Sequence, residues 1–190
     1  MSLPLSPPVA PQLARSRATL PEGEDWAYEP KWDGFRAIAF VDGDDVYVQS
    51  RGSKPLLRYF PELRFPPGRY VIDGELVILD SDGQPDFNAL QQRIHPAASR
   101  IERLAAETPA RFMAFDLLAE GDESLLGEPF AARRARLEKL VADPIELTTL
   151  VTDRAEAEVW LRGAEGVIAE VLSAACRPGE PDHLLDRDDP

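Results

Sequence analysis

One lysine near the start of the chain stands among residues that could support phosphate chemistry. Lys31 lies two residues before an Asp-Gly pair and five before Arg36, at the start of an alternating apolar run. A lysine that attacks the α-phosphate of a nucleotide needs a fixed backbone, polar partners and a nearby cation. The alternative is a solvated lysine before a hairpin, because Asp-Gly is a common turn signal. Few other residues could perform lysine chemistry, because the only other lysines are Lys54 and Lys139.

Further short motifs follow this lysine in a fixed order. They are Ser50-Arg51-Gly52, Asp73-Gly74-Glu75-Leu76, Phe115-Asp116-Leu117-Leu118 and Glu165-Gly166-Val167-Ile168. Together with Lys-x-Asp-Gly-x-Arg at 31–36, they resemble the ordered motifs of covalent nucleotidyltransferases, which include ATP-dependent DNA ligases, RNA ligases and mRNA capping enzymes. The longer string Glu-Pro-Lys-Trp-Asp-Gly-Phe-Arg at 29–36 looks most like the bacterial ATP-dependent DNA ligases. The resemblance covers about residues 8 to 179, nearly the whole chain.

The resemblance implies an adenylation domain in which Lys31 carries AMP while pyrophosphate leaves. It further implies ATP as the nucleotide, Mg²⁺ as the metal, and nick sealing in DNA repair or recombination as the purpose. The nucleotide-binding residues would be Glu29, Lys31, Arg36, Arg51, Glu75, Phe115 and Glu165. Two of these carboxylates, Glu75 and Glu165, would also bind the metal.

Several of these residues have structural explanations as well. Asp73 and Glu75 share one face of an apolar strand, where carboxylates are costly unless they bind a metal or hydrogen-bond donors. Pairing with an arginine such as Arg36 would also account for them. Phe115 either stacks on adenine, as the resemblance implies, or belongs to the core. Arg51 is either a nucleotide-site residue or an ordinary loop arginine.

The end of the chain departs from the family pattern. Glu170 stands where the family has a lysine after Glu-Gly-Val-Val, and Asp186 and Asp188 stand where a Lys-x-Lys pair would fall. Carboxylates at these positions would repel phosphate rather than neutralise it. The oligonucleotide-binding barrel of the family does not follow either. The second hypothesis is therefore a catalytically inactive relic or an ATP-binding interaction module. An RNA-directed or capping-type enzyme is a weaker third option, which the string at 29–36 argues against.

Composition narrows the possible partners. The chain has 190 residues, with 21 basic and 34 acidic side chains and a net charge of −13, which gives no general attraction to nucleic acid. We therefore expect weak binding of nicked duplex DNA without a barrel, with help from a separate DNA-binding or repair protein. One cysteine and two histidines exclude an internal disulfide and a Cys/His zinc cluster. Neither a membrane span nor a signal pattern is present, which favours the cytoplasm.

Strand and helix patterns alternate in a way that predicts an α+β fold, with antiparallel sheets flanked by helices. Residues 1–22 are predicted as an extended proline-rich arm, 23–175 as the adenylation domain and 176–190 as an acidic, degenerate tail. Pro129 opens a helix with a basic cluster on it. We interpret that cluster as a solvated helix face, with nucleic-acid contact as the alternative. Its members are Arg133, Arg134, Arg136 and Lys139.

Overall fold

The computed structural model describes residues 1–162 and 166–186. It contains two sheets with helices packed around them, and this mixture confirms the predicted α+β class. The first sheet has four strands, in the order β1 (Leu13–Arg17), β10 (Pro181–Asp186), β9 (Val167–Val171) and β2 (Trp26–Pro30). The strands β1 and β10 are parallel, and the other pairs are antiparallel.

The second sheet is larger and supplies most of the core. Its order is β4 (Asp45–Ser50), β3 (Phe35–Asp42), β5 (Arg69–Val77), β6 (Arg111–Glu120) and β7 (Glu123–Ser124). These strands pair antiparallel, while the short β8 (Glu146–Leu147) pairs parallel to β6. The helices are α1 (Phe87–Gln91), α2 (Ala98–Glu107), α3 (Phe130–Leu140) and α4 (Arg154–Leu161). No helix among the described residues is long and apolar enough to cross a membrane.

Alternation along β3 explains why the second sheet is covered on both faces. Ala37, Ala39 and Val41 point into the main core. Ile38 and Phe40 point the other way, where the proline-rich start of the chain covers them.

That covering segment is fastened by one buried side chain. The Gln49 amide oxygen accepts a hydrogen bond from the Val9 backbone N–H at 2.9 Å, and its amide nitrogen donates to the Val9 carbonyl at 2.7 Å. Further along, β1 and β10 pair within the same sheet, so the predicted arm and tail both contribute strands. The domain boundaries at residues 22 and 175 stay predictions.

The helix α3 corrects one interpretation of the sequence. Arg133 and Arg134 are buried, so the prediction of a solvated basic face is wrong for these two residues. Arg136 does lie at the surface, where it pairs with Glu120 at 2.6 Å and Glu123 at 2.8 Å. Two of the four residues of the predicted basic cluster are therefore buried.

A glycine at the centre of β5 allows the strands to pack closely. A Cβ atom at Gly74 would lie 2.5 Å from the Met113 carbonyl oxygen and 2.5 Å from a ring carbon of Phe112. We expect Gly74→Ala to lower the free energy of unfolding by about 1–3 kcal/mol, the usual cost of overpacking a core. Urea denaturation measures this. Gly127→Ala is the matched control, because a Cβ there meets nothing within 4 Å. Equal stability of the two variants would contradict the close packing at Gly74.

Candidate active site

A cavity of about 1020 Å³ opens where the two sheets meet. Its lining includes residues of β1, β2 and β9 from the first sheet and of β3, β4, β5 and β6 from the second. It also brings together six of the seven site residues predicted from the sequence: Glu29, Lys31, Arg36, Arg51, Glu75 and Phe115. The seventh, Glu165, lies outside the described residues.

Lys31 lies at the point where the chain crosses from one sheet to the other. The strand β2 ends at Pro30, and the second sheet begins at Phe35. The Lys31 backbone N–H donates to the Gly166 carbonyl at 3.0 Å, which joins it to the segment before β9. The indole N–H of Trp32 donates to the Thr148 hydroxyl at 2.9 Å. A backbone hydrogen bond at Lys31 and a side-chain hydrogen bond at Trp32 therefore fix this segment, as nucleophilic chemistry requires.

Glycine is required at the end of this crossing. A Cβ atom at Gly34 would overlap the Leu76 carbonyl oxygen and crowd the Glu75 side chain. The Asp-Gly pair therefore brings the crossing segment directly against β5. The close approach of the chain to β5, rather than turn formation, therefore explains why residue 34 is a glycine.

Arg36 is fixed beside Phe115 by a buried carboxylate. Its Nε and Nη2 donate to the two carboxylate oxygens of Asp73, each at 2.7 Å. Burial alone would lower the pKa of Arg36, but the facing Asp73 carboxylate raises it, so the guanidinium stays charged. Its central carbon lies 4.6 Å from the centroid of the Phe115 ring. Pairing with an arginine is thus the explanation for Asp73.

Glu75 has a different environment from Asp73, although they are two residues apart. It lies opposite Arg36 in the β3–β5 ladder and lines the cavity, while Asp73 is buried against Arg36. The β5–β6 ladder shifts its register between Asp73 and Gly74, where the two environments separate. Burial raises the pKa of Glu75 to about 7, against the lowering effect of Arg36. A bound cation would favour the ionised form of this carboxyl group.

The exposed rim of the cavity carries a group of cations. Arg51 lies in the turn after β4, where the Ser53 N–H donates to the Ser50 carbonyl at 2.9 Å. Lys54 and Arg58 follow and also line the cavity. Neither Lys54 nor Arg58 was predicted as a site residue, although the spacing of basic residues at 51, 54 and 58 around a single turn could have indicated a shared rim.

Glu29 is a buried acid in the cavity wall, with an arginine behind it. It is 2% exposed, and its Oε2 lies 3.4 Å from Nη1 of Arg134. Burial raises the pKa of Glu29 to about 8, while the charge of Arg134 lowers it. The neighbouring Arg133 binds both oxygens of Asp116, at 2.8 and 2.9 Å. No local pattern indicates either pair, because the partners lie 105 and 17 residues apart along the chain.

Two of the three residues that depart from the family pattern lie in the first sheet. Glu170 pairs with Ala27 across the β2–β9 ladder, and its charge contributes to raising the pKa of Arg36 and of Arg133. Asp186 ends β10, opposite Val167. Asp188 lies outside the described residues.

Two solved structures define the class of protein. The ligase domain of LigD from M. tuberculosis has a TM-score of 0.80 and 31% identity, over 95% of this chain and 59% of that chain. A mycobacterial DNA ligase D solved with ATP and MES has a TM-score of 0.79 and 30% identity, over 95% and 60% respectively. The fold is therefore that of the nucleotidyltransferase domain of DNA ligases.

The sequence comparisons give the family. Residues 7–180 match the model of the ATP dependent DNA ligase domain, and the chain belongs to the ATP-dependent DNA ligase family. It is 49% identical to DNA ligase C2 of Mycolicibacterium smegmatis, over 94% of this chain and 53% of the relative. It is 50% identical to DNA ligase C of Mycobacterium tuberculosis, over 90% and 51%. The chain thus spans about half the length of these curated relatives.

Measuring the pKa of Glu75 tests how the charges of Lys31 and Asp33 act on this carboxyl group. We expect Lys31→Met to raise this pKa, because the lysine charge favours the ionised carboxylate. Asp33→Asn should lower it, because a neighbouring negative charge is removed. Carbon-detected NMR titration of the Glu75 carboxyl group measures both shifts. A parent carboxyl that titrates at its ordinary value, or shifts of the opposite sign, would contradict this arrangement.

Proposed function

We propose that this chain is the adenylation domain of a DNA ligase, which forms a lysine-AMP intermediate for sealing nicks. The observation that carries the proposal is the position of Lys31, held at the crossing of two sheets in a cavity with Arg36, Glu75 and Phe115. The Lys31 amine would attack the α-phosphorus of ATP and form a P–N bond. The bond from that phosphorus to the bridging oxygen of the β-phosphate would break, pyrophosphate would leave, and the amine would lose a proton.

The cations of the cavity support this step. Phosphoryl transfer depends mainly on positioning and on stabilising the charge of the transferred group. Arg36 needs no rearrangement to act, because Asp73 already fixes its guanidinium. Arg51 stands at the rim, where it would neutralise phosphate in a solvated setting. Lys54 and Arg58 add positive charge on the same side.

The base would bind against Phe115 and Glu29. The Phe115 ring lies beside the Arg36 guanidinium and lines the cavity. An aromatic ring at such a place can stack on a nucleobase. Glu29 lines the same cavity, and its ionised form, which the charge of Arg134 favours, accepts hydrogen bonds without donating any. It would therefore suit the exocyclic amino group of adenine.

The residues present also fit Mg²⁺. This ion is usually bound through one or two carboxylates together with substrate phosphates. Glu75 is a cavity carboxyl with a raised pKa, and a bound cation would favour its ionised form. The described residues contain no group of three or more metal-binding side chains, so the phosphates of ATP would complete the set. Glu75 and Glu165 would hold the ion, which supplies further neutralisation of phosphate charge.

DNA would be bound with help from elsewhere. The chain spans about half the length of the curated relatives it matches. Its net charge of −13 gives no general attraction to a duplex. A further DNA-binding domain or a separate repair protein would therefore hold the nick. A relative with 35% identity, from Mycobacterium bovis, is named a multifunctional non-homologous end joining protein, which supports a role in DNA repair.

Intact-mass analysis after incubation with ATP and Mg²⁺ tests the proposed chemistry. We expect one AMP adduct on the parent and none on Lys31→Ala, because the nucleophile is lost. Lys139→Ala is the matched control, since this lysine is exposed and does not belong to the described lining of the cavity, and it should keep the adduct.

Two outcomes would contradict the proposal. An adduct that survives Lys31→Ala would show that another residue is the nucleophile. A folded parent that binds ATP without any adduct would instead favour the ATP-binding interaction module.

A further inference from the structure

Arg134 reaches the back of the cavity from α3. Its guanidinium contacts Glu29 at 3.4 Å and Glu138 at 3.2 Å, and it donates a hydrogen bond to the Thr148 carbonyl. The arginine itself is buried and does not belong to the described lining of the cavity. It therefore acts on the site through the residues that it contacts.

Two of those contacted residues form part of the cavity wall. Glu29 and Thr148 both line it, and the Thr148 hydroxyl accepts the indole N–H of Trp32, directly after Lys31. A single guanidinium thus binds an acid on β2 and a backbone carbonyl next to β8. The guanidinium is a planar fork of N–H donors, so it fixes both position and orientation.

The charge of this arginine also acts on the acid. A carboxylate buried to this extent is costly unless a cation pairs with it. Burial raises the pKa of Glu29 and the charge of Arg134 opposes that rise, so loss of Arg134 would favour the protonated form further. A neutral carboxyl group can donate as well as accept a hydrogen bond. An acceptor alone suits the amino group of adenine and opposes the carbonyl oxygen that guanine has at the same ring position. A protonated Glu29 would tolerate both bases.

We propose that Arg134 is a positioning residue that orients Glu29, favours its ionised form as an acceptor, and thereby sets the preference of the cavity for adenine over guanine nucleotides. This inference rests on the proposed function for the identity of the ligand. It assigns to the helix a part in substrate selection, in addition to its part in stability.

The chain contains a matched control at the next position. Arg133 lies on the same helix, is buried to a similar extent and also binds a carboxylate, that of Asp116. Asp116 does not belong to the described lining of the cavity. Removing either arginine breaks a buried ion pair, but only one of these pairs includes an acid of the cavity wall.

The test is equilibrium binding of ATP and of GTP, measured by isothermal titration calorimetry on the parent, Arg134→Met and Arg133→Met. Melting temperatures of all three establish that each is folded. We expect Arg134→Met to reduce the ratio of ATP to GTP affinity about tenfold, the effect expected of a hydrogen bond to a charged group. Arg133→Met should be less stable with an unchanged ratio.

If Arg134→Met does not fold, Arg134→Gln serves instead, because the amide keeps a donor for the Thr148 carbonyl while it removes the charge. We expect the same fall in the ratio. An unchanged ratio in a folded Arg134 variant would overturn the inference, and so would an equal fall in Arg133→Met.

Binding separates this inference from the proposed chemistry. A parent that prefers ATP in calorimetry but forms no adduct would contradict the adenylation proposal alone. In that case a reduced ratio in the Arg134 variants would still support the role of the arginine. A parent that binds neither nucleotide would overturn both.

Discussion

Two adjacent buried arginines on α3 hold the two sheets together at the cavity. Arg133 binds Asp116 in the six-stranded sheet, and Arg134 binds Glu29 in the four-stranded sheet. Removing one partner of a buried ion pair typically costs about 3–5 kcal/mol, because the other charge is left without compensation. The position of β2 relative to β6 therefore depends on this helix, and so does the shape of the cavity between them.

The chemistry of the site depends on that arrangement, because its groups come from both sheets. Lys31 follows β2 of the first sheet, whereas Arg36, Glu75 and Phe115 lie on strands of the second. A third ion pair, between the half-buried Arg36 and the buried Asp73, fixes the cation that lies over the Phe115 ring. Preorganised charges of this kind stabilise a transferred phosphoryl group without rearranging during the reaction. The same pairs thus support both the fold and the proposed reaction.

Local patterns predicted the alternating run that forms β3, the apolar strand that carries Asp73 and Glu75, and the start of α3, because such patterns act over short distances. Ordered motifs also predicted the residues of the cavity. Other features depend on distant partners: Arg134 finds its acid 105 residues earlier, so its burial leaves no periodic signal. The strands β1 and β10 pair in parallel from opposite ends of the chain. Likewise, no local pattern distinguishes Asp73, which binds Arg36, from Glu75, which lines the cavity.

A crystal structure of the chain after incubation with ATP and Mg²⁺ would show whether the cavity between the sheets presents Lys31 to a bound nucleotide. We expect continuous density from the Lys31 amine to phosphorus, with the base against Phe115 and near Glu29. Nucleotide bound outside this cavity, or AMP joined to another residue, would contradict it.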